Sequence, residues 1–200
     1  MTMKKWEIED ELRNQGLKLI CGIDEAGRGP LAGPVFAAAV ILPEDCDIPG
    51  LDDSKKLSEK KRDELYDIII EKALFYGIAS ASEDEIDEVN ILNAVYRAMN
   101  RAADGLGVEP EICLIDGNRN QGITRNSMCV IKGDSKCACI AAASILAKVS
   151  RDRFMLGMAE KYPEYAFEKH KGYGTKLHYE RIREHGPSAI HRKTFLKKMH

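Results

Sequence analysis

No run of apolar residues in this chain is long enough to span a bilayer. The longest weakly polar stretch, Leu31 to Leu42, is interrupted by Gly33 and Pro34 and is expected to be a buried strand. The opening residues, Met1-Thr2-Met3-Lys4-Lys5-Trp6, lead into an acidic stretch without the apolar block or small-residue cleavage site of a secretory signal, so a cytoplasmic location is expected. Paired metal-binding cysteines are missing too. Cys21, Cys46, Cys113, Cys129, Cys137 and Cys139 form no CxxC pair and have no His partner at zinc-finger spacing, which points to reduced, buried thiols. There is no internal repeat, no low-complexity linker and little net charge, −2 at neutral pH.

What is present is an ordinary globular composition, 44% hydrophobic and 31% charged over 200 residues, enough for one compact domain. The small net charge hides a segregation. From Phe167 to His200 nine Lys or Arg stand against three Glu, so a basic C-terminal segment follows an acidic body. Such a segment serves either as a solvated face or as a nucleic-acid contact. One acidic cluster, Glu83, Asp84, Glu85, Asp87 and Glu88, is expected to be a solvated helix start.

Strands are expected over 17–23, 35–42, 74–81, 111–115 and 127–131. Helices are expected after the cap Ser58, over about 91–103 and 137–161, and from Lys176 to Glu184. Early strands followed by helix-strand alternation indicate an α/β domain with a mixed, roughly five-stranded sheet. Residues 17–161 would form its core. Residues 162–200 are too few for a core of their own and would add a basic helical extension that helps bind substrate.

Three of the expected strands end in an acid beside a glycine or at a turn: Asp24-Glu25, Asp116-Gly117 and Gly133-Asp134. Strand ends are where sheets of this class collect functional groups. An Asp before Gly is also an ordinary turn residue. Carboxylates gathered at one place, however, repel one another unless protonated or bridged by cations, and Mg²⁺ or Mn²⁺ prefers such oxygen ligands. Two ions about 4 Å apart can activate water and stabilise the leaving oxygen of a phosphodiester. Adjacent strand residues face opposite ways, so Asp24 and Glu25 are expected to share a site only if the chain twists or bulges there.

Gly27-Arg28-Gly29-Pro30-Leu31-Ala32 matches a dinucleotide-binding pattern on paper. Gly33-Pro34 and the strand-like residues after it exclude the helix that pattern must open, and Asp24-Glu25 would repel a pyrophosphate. The glycines instead allow backbone amides to approach a ligand, with Arg28 offering a charged fork.

The string from Asp24 to Val35, DEAGRGPLAGPV, resembles the opening signature of the ribonuclease HII family. Asp53-Ser54-Lys55-Lys56-Leu57, Ile115-Asp116-Gly117, Lys132-Gly133-Asp134, the Ala141–Val149 stretch with Arg151-Asp152, His170-Lys171-Gly172-Tyr173-Gly174-Thr175 and His191-Arg192 follow in the family's order. The resemblance implies a ribonuclease H-like fold and an endonuclease acting on RNA/DNA hybrids and on duplex DNA containing ribonucleotides. It implies a catalytic and metal-binding quartet, Asp24, Glu25, Asp116 and Asp134, holding Mg²⁺ or Mn²⁺. Gly27, Arg28 and Gly29 would contact the 2′-hydroxyl, and Tyr173 would pack on the sugar at the RNA-to-DNA junction. Lys55, Lys56, Lys148, Lys171, His191 and Arg192 are candidate phosphate contacts, Asp152 would support the acids from nearby, and a monomer is expected. Two alternatives stand beside this reading: a non-catalytic nucleic-acid-binding module, and another ribonuclease H-like nuclease or resolvase acting on DNA.

Overall fold

A computed structural model describes residues 7–197, so the Met1–Trp6 segment and the last three residues of the basic tail lie outside the described residues. In chain order the elements are α1 (Glu7–Asn14), β1 (Ile20–Ala26), β2 (Val35–Ile41), α2 (Glu59–Lys72), β3 (Phe75–Ala81), α3 (Glu83–Asp104), β4 (Ile112–Asp116), β5 (Ser127–Val130), α4 (Ala138–Lys161), α5 (Phe167–His170), α6 (Lys176–His185) and α7 (Lys193–Leu196). Short 3-10 turns occupy Ser54–Lys56, Gly133–Ser135 and Pro163–Tyr165. The strands form one mixed sheet in the order β3-β2-β1-β4-β5, antiparallel across β3-β2-β1 and parallel across β1-β4-β5.

Strand periodicity decides the layers. Along β2, Val35, Ala37, Ala39 and Ile41 pack with Cys21, Ile23 and the Ala94–Ala102 face of α3, while Ala38 and Val40 pack with α2 and α4. Because both faces of β2 are covered, its sequence is a continuous apolar run rather than an alternating one. The alanines of α4 keep that helix close to the sheet. The closest approach is at Gly22, where any Cβ would overlap the backbone of Cys139 and Ile140. The start of α4 has no side-chain cap of its own. The buried Glu9 carboxylate of α1 supplies one, accepting the Cys139 N–H at 3.1 Å.

Two element boundaries differ from expectation for identifiable reasons. The first strand begins and ends three residues later, so Asp24 and Glu25 lie inside β1 instead of after it. Helix α3 starts at Glu83, eight residues early, but is kinked at Asn90, whose φ of 69° is left-handed. Its first run is closed by a reciprocal cap between Ser82 and Glu85, and the Asn90 side chain accepts from the Leu92 and Asn93 amides to cap the second. The hydrophobic periodicity thus marks only the second run, while the acidic cluster from Glu83 to Glu88, expected as a helix start, is the first.

The C-terminal segment packs on the far end of α4, where Tyr165, Phe167, Ile182 and Ile190 join Met155, Leu31 and Ala32 in a separate small cluster. Its α7 is fastened to α3 by Asp87, which accepts the Lys193 and Thr194 amides at 2.8 and 2.9 Å.

The contrast between two glycines tests this packing. Gly22→Ala should cost about 1–3 kcal/mol as an overpacked contact. Gly157→Ala, on the exposed face of α4 with open space around it, should stabilise by about 0.5–1 kcal/mol. Urea unfolding midpoints of the two variants should move in opposite directions.

Candidate active site

The pairing of β1 with β4 ends at Ile23 and Ile115, and the next residue on each strand is an acid, Asp24 and Asp116. Since Cys21 and Ile23 face α3, Gly22 and Asp24 face α4; Glu25 returns to the α3 side. The register of β1 with β2 runs unbroken through Ala26, with Asp24 opposite Ala38 and Glu25 opposite Ala37. The strand thus delivers both acids to the site with no bulge, one of the two departures, twist or bulge, that the sequence led one to expect. They flank the end of β4 from two sides, and Asp116, at the last position of that strand, borders the cavity on each side.

The fourth acid, Asp134, sits in the turn before α4. That turn is tied to β4 because the Asp116 carboxylate accepts the Gly133 N–H at 2.7 Å. A cavity shared by Asp116, Asp134, Asp53, Lys55 and Lys56 opens there, and a neighbouring one is lined by Asp24, Glu25, Gly27, Arg28, Gly29, Lys148 and Tyr173. The structure therefore brings the four predicted acids to one end of the sheet, with the glycine loop and Tyr173 against them.

Electrostatically this is a negative pocket short of cations. Burial raises the Asp24 carboxyl well above its usual range, and the charges of Glu25 and Asp116 push it further. Burial also raises Glu25, which Arg28 opposes from 3.3 Å. Asp134 is raised by burial and then by Asp116 and Asp53. Lys55 reaches the acids from solvent with its side chain largely exposed: partial desolvation would lower its ammonium, but Asp24, Asp134, Asp53 and Asp116 raise it, and its Nζ lies 3.6 Å from Asp134. Its turn is fixed by the Asp53 side chain, which accepts the Lys55 N–H at 2.9 Å, and by the buried Ser54–Ser144 hydroxyl pair at 2.7 Å. Among the described residues, no three Asp, Glu, His or Cys side chains close around a single point as an ion's ligands would. The carboxylates nevertheless suit a hard divalent cation in donor type, and their upward shifts are what such a cation would relieve.

Around the acids, Lys148 pairs with Asp152 at 2.7 Å, so Asp152 reaches the site through that lysine. Lys56 pairs with Asp52 at 3.5 Å on the rim. Lys171 is turned toward the Glu168 carbonyl. Tyr173 is 43% exposed, with the Arg151 guanidinium 5.6 Å from its ring centre.

Two expected phosphate contacts are corrected. His191 and Arg192 are 2% and 0% exposed, so neither presents a charge to a surface. Arg192 instead donates to the carbonyls of Gly27 at 2.6 Å, Arg28 at 2.9 Å and Gly33 at 2.7 and 2.9 Å. Arg151, to which sequence reasoning gave no role, does the same for Ala32 at 3.1 Å and Pro34 at 3.2 Å. Its sequence signal was a charge at helical spacing on the buried stripe Ser144, Ala147, Arg151, Met155. Asp53 and Ser144 stand within the family motifs quoted above but received no role, because what a polar residue in a loop or an alanine-rich helix does depends on a partner distant in sequence.

A family model described as Ribonuclease HII matches residues 21–200. Ribonuclease HII of Caldicellulosiruptor bescii is 53% identical over 192 residues, covering 96% of this chain and 93% of that protein. Ribonuclease HII of Endomicrobium trichonymphae is 58% identical, covering 91% and 87%. Among solved structures, ribonuclease H2 from Pyrococcus horikoshii OT3 aligns with a TM-score of 0.72 at 27% identity, covering 88% of this chain and 92% of that one. The fold is accordingly the ribonuclease H-like α/β fold. A Bst ribonuclease HIII solved in complex with Mn²⁺ shares it, with a TM-score of 0.66 at 20% identity, covering 88% and 66%.

The raised carboxylates give a signed pH dependence. In the folded, ion-free protein Asp24, Glu25 and Asp134 hold protons that the unfolded chain has released, so stability is greatest below the ordinary carboxylate range, about pH 4, and is lost as pH rises through the raised values. In chelator, the melting temperature should therefore carry a component that falls as pH rises above the ordinary carboxylate range, and added Mg²⁺ or Mn²⁺ should raise it more at the higher pH. Asp24→Asn should remove most of that ion-dependent rise.

Proposed function

Because this chain belongs to the ribonuclease HII family and is an endonuclease of the ribonuclease H class, we propose that it hydrolyses the RNA strand of RNA/DNA hybrids and cuts 5′ of ribonucleotides embedded in duplex DNA. Asp24, Glu25, Asp116 and Asp134 are its catalytic carboxylates, with Mg²⁺ or Mn²⁺ as cofactor. The observation that carries this reading is the meeting of Asp24 and Asp116 at the first unpaired step between β1 and β4, with Asp134 tied beside them through the Gly133 amide.

When bound, the divalent ions would supply Lewis-acid activation of water and charge stabilisation at the phosphate. The chain itself does the rest. Asp24, Asp116 and Asp134, together with Glu25 from the α3 side of the sheet, would hold the ions. Lys55, Lys56 and Lys148 line the two cavities beside the acids, where they would hold backbone phosphates without reading sequence. With the negative field of the carboxylates neutralised, the Lys55 ammonium is released to meet such a phosphate. The glycine loop supplies amides that can approach a sugar closely, and Tyr173 offers an exposed ring for the neighbouring one. In-line attack by water on the phosphate 5′ of the ribonucleotide leaves 3′-hydroxyl and 5′-phosphate ends.

The test is a DNA duplex with a single embedded ribonucleotide, incubated with Mg²⁺, Mn²⁺ or chelator beside an all-DNA control. Cleavage should require the ion and leave the control intact. Asp134→Asn should lower the rate at least about a hundredfold, as expected when a charge organised for the transition state is lost, while hybrid binding persists. Equal activity of that variant would mark a protein that binds without these carboxylates acting, and cutting of the control would mark a DNA nuclease.

A further inference from the structure

Three separate segments are knitted together behind the site: the glycine loop, the turn that carries Tyr173, and residues 188–192. The Leu31 N–H donates to the Gly172 carbonyl at 2.8 Å, the Gly33 N–H to the Ile190 carbonyl at 2.9 Å and the Arg192 N–H to the Leu31 carbonyl at 2.8 Å. A Cβ at Gly172, where φ is +84°, would strike the Ala32 carbonyl, so the first two segments pack backbone to backbone.

The side chains of His191 and Arg192 work in two directions from this seam. The Arg192 fork takes the carbonyls of Gly27, Arg28 and Gly33, which draws the carbonyl side of the glycine loop inward. His191 faces the other segment through a chain of three hydrogen bonds. Its Nδ1 accepts the Ser188 N–H at 2.8 Å, and the Ser188 hydroxyl also lies 2.7 Å away, which places the ring proton on Nε2. That Nε2–H meets His178 Nε2 at 3.0 Å, so the His178 proton resides on Nδ1 and is donated to the Tyr173 carbonyl at 3.0 Å. His170 stacks on His178 with ring centres 4.2 Å apart and accepts the Gly172 N–H at 3.2 Å. Burial pushes both His178 and His191 down to about 4, keeping them neutral at working pH with this chain of donors intact.

We propose that the His191-Arg192 dipeptide is a specificity-determining positioning element, setting the spacing between the glycine loop and Tyr173 and with it the preference for a lone ribonucleotide over continuous RNA. This rests on the reading of Gly27–Gly29 and Tyr173 given under Proposed function. The reason is one of registers. A continuous RNA strand presents a 2′-hydroxyl at every step, so a displaced glycine loop still finds one. A lone ribonucleotide presents a single hydroxyl beside a single junction, and both contacts must be met together at one fixed spacing. Displacements of about 1 Å at such contacts can cost on the order of a hundredfold in rate.

Arg192→Lys removes the fork while keeping the charge, and His191→Gln breaks the chain of donors to Tyr173. Both should be assayed, below their melting temperatures, on a duplex with one ribonucleotide and on a uniform RNA/DNA hybrid. The expected result is a KM about tenfold higher on the first substrate with less than about a threefold change on the second, and kcat on the hybrid near that of the parent. Equal losses on both substrates, or a fall in melting temperature with no change in their ratio, would overturn the proposal. Should either variant fail to fold, Ser188→Ala removes only the hydroxyl contact to His191. It should shift the ratio about twofold, the worth of a fraction of one hydrogen bond, and an unchanged ratio would overturn the proposal equally. Failure of the parent protein to cut either substrate would instead remove the underlying reading, so the two failures are distinguishable.

Discussion

Mutual repulsion among carboxylates at one end of a buried sheet is the constraint around which this molecule is arranged. Asp24 and Asp134 are 5% and 6% exposed, and Asp24 has two acids for neighbours, a placement that would unfold most proteins if every group were charged and unpaired. The fold tolerates it by three local means. Burial raises the affinity of Asp24, Glu25 and Asp134 for protons, Lys55 reaches Asp134 from the solvent side, and a backbone amide, that of Gly133, is turned onto Asp116. None of these fully neutralises the pocket. A site so poised suits divalent cations in donor type, because they would supply what the folded chain lacks, and stability given up at the sheet end would then become affinity for the ion.

The same logic explains why the site lies where it does. The carboxylates need a rigid frame, since a loose one would let them separate and dissipate the strain. Gly22 permits α4 to press on β1 directly beside Asp24, and the alanines that follow in α4 continue that contact along the sheet. Glu9 closes the start of α4, and the turn holding Asp134 is the residue run immediately before it. The acids are thus mounted on the shortest path between two tightly packed elements, not on independent loops.

Much of this was legible before any coordinates. The five strands, the long fourth helix and the gathering of Asp24, Glu25, Asp116 and Asp134 all follow from apolar periodicity and from acids placed at strand ends, because burial of a sheet writes its pattern directly into the chain. Less accessible was anything that depends on a partner far away in sequence. Asp24 and Glu25 share a site without a bulge because β4 stops beside them, which no inspection of β1 alone reveals. His191 and Arg192 were read as surface charges because basic residues near a basic tail usually are. Arg192 is buried against carbonyls of a loop about 160 residues earlier in the chain, and His191 against Ser188 and His178.

That inward turn of basic residues changes how the charge segregation of the chain should be understood. The C-terminal segment carries the positive excess, yet Arg192 is spent on backbone carbonyls, and Arg151 of the main body joins it there. Guanidinium groups suit this duty because their planar array of donors can satisfy several carbonyls at once and need not be matched by a carboxylate. With its carbonyls held from behind, a glycine-rich loop that would otherwise be the most mobile part of the site acquires one conformation, and the conformational entropy of its glycines is lost on folding instead of on substrate binding. On the function proposed here, the basic segment would contribute to recognition chiefly by ordering the loop that touches the substrate, and the lysines on the rim of the acidic pocket, Lys55, Lys56 and Lys148, would be left to meet the phosphates.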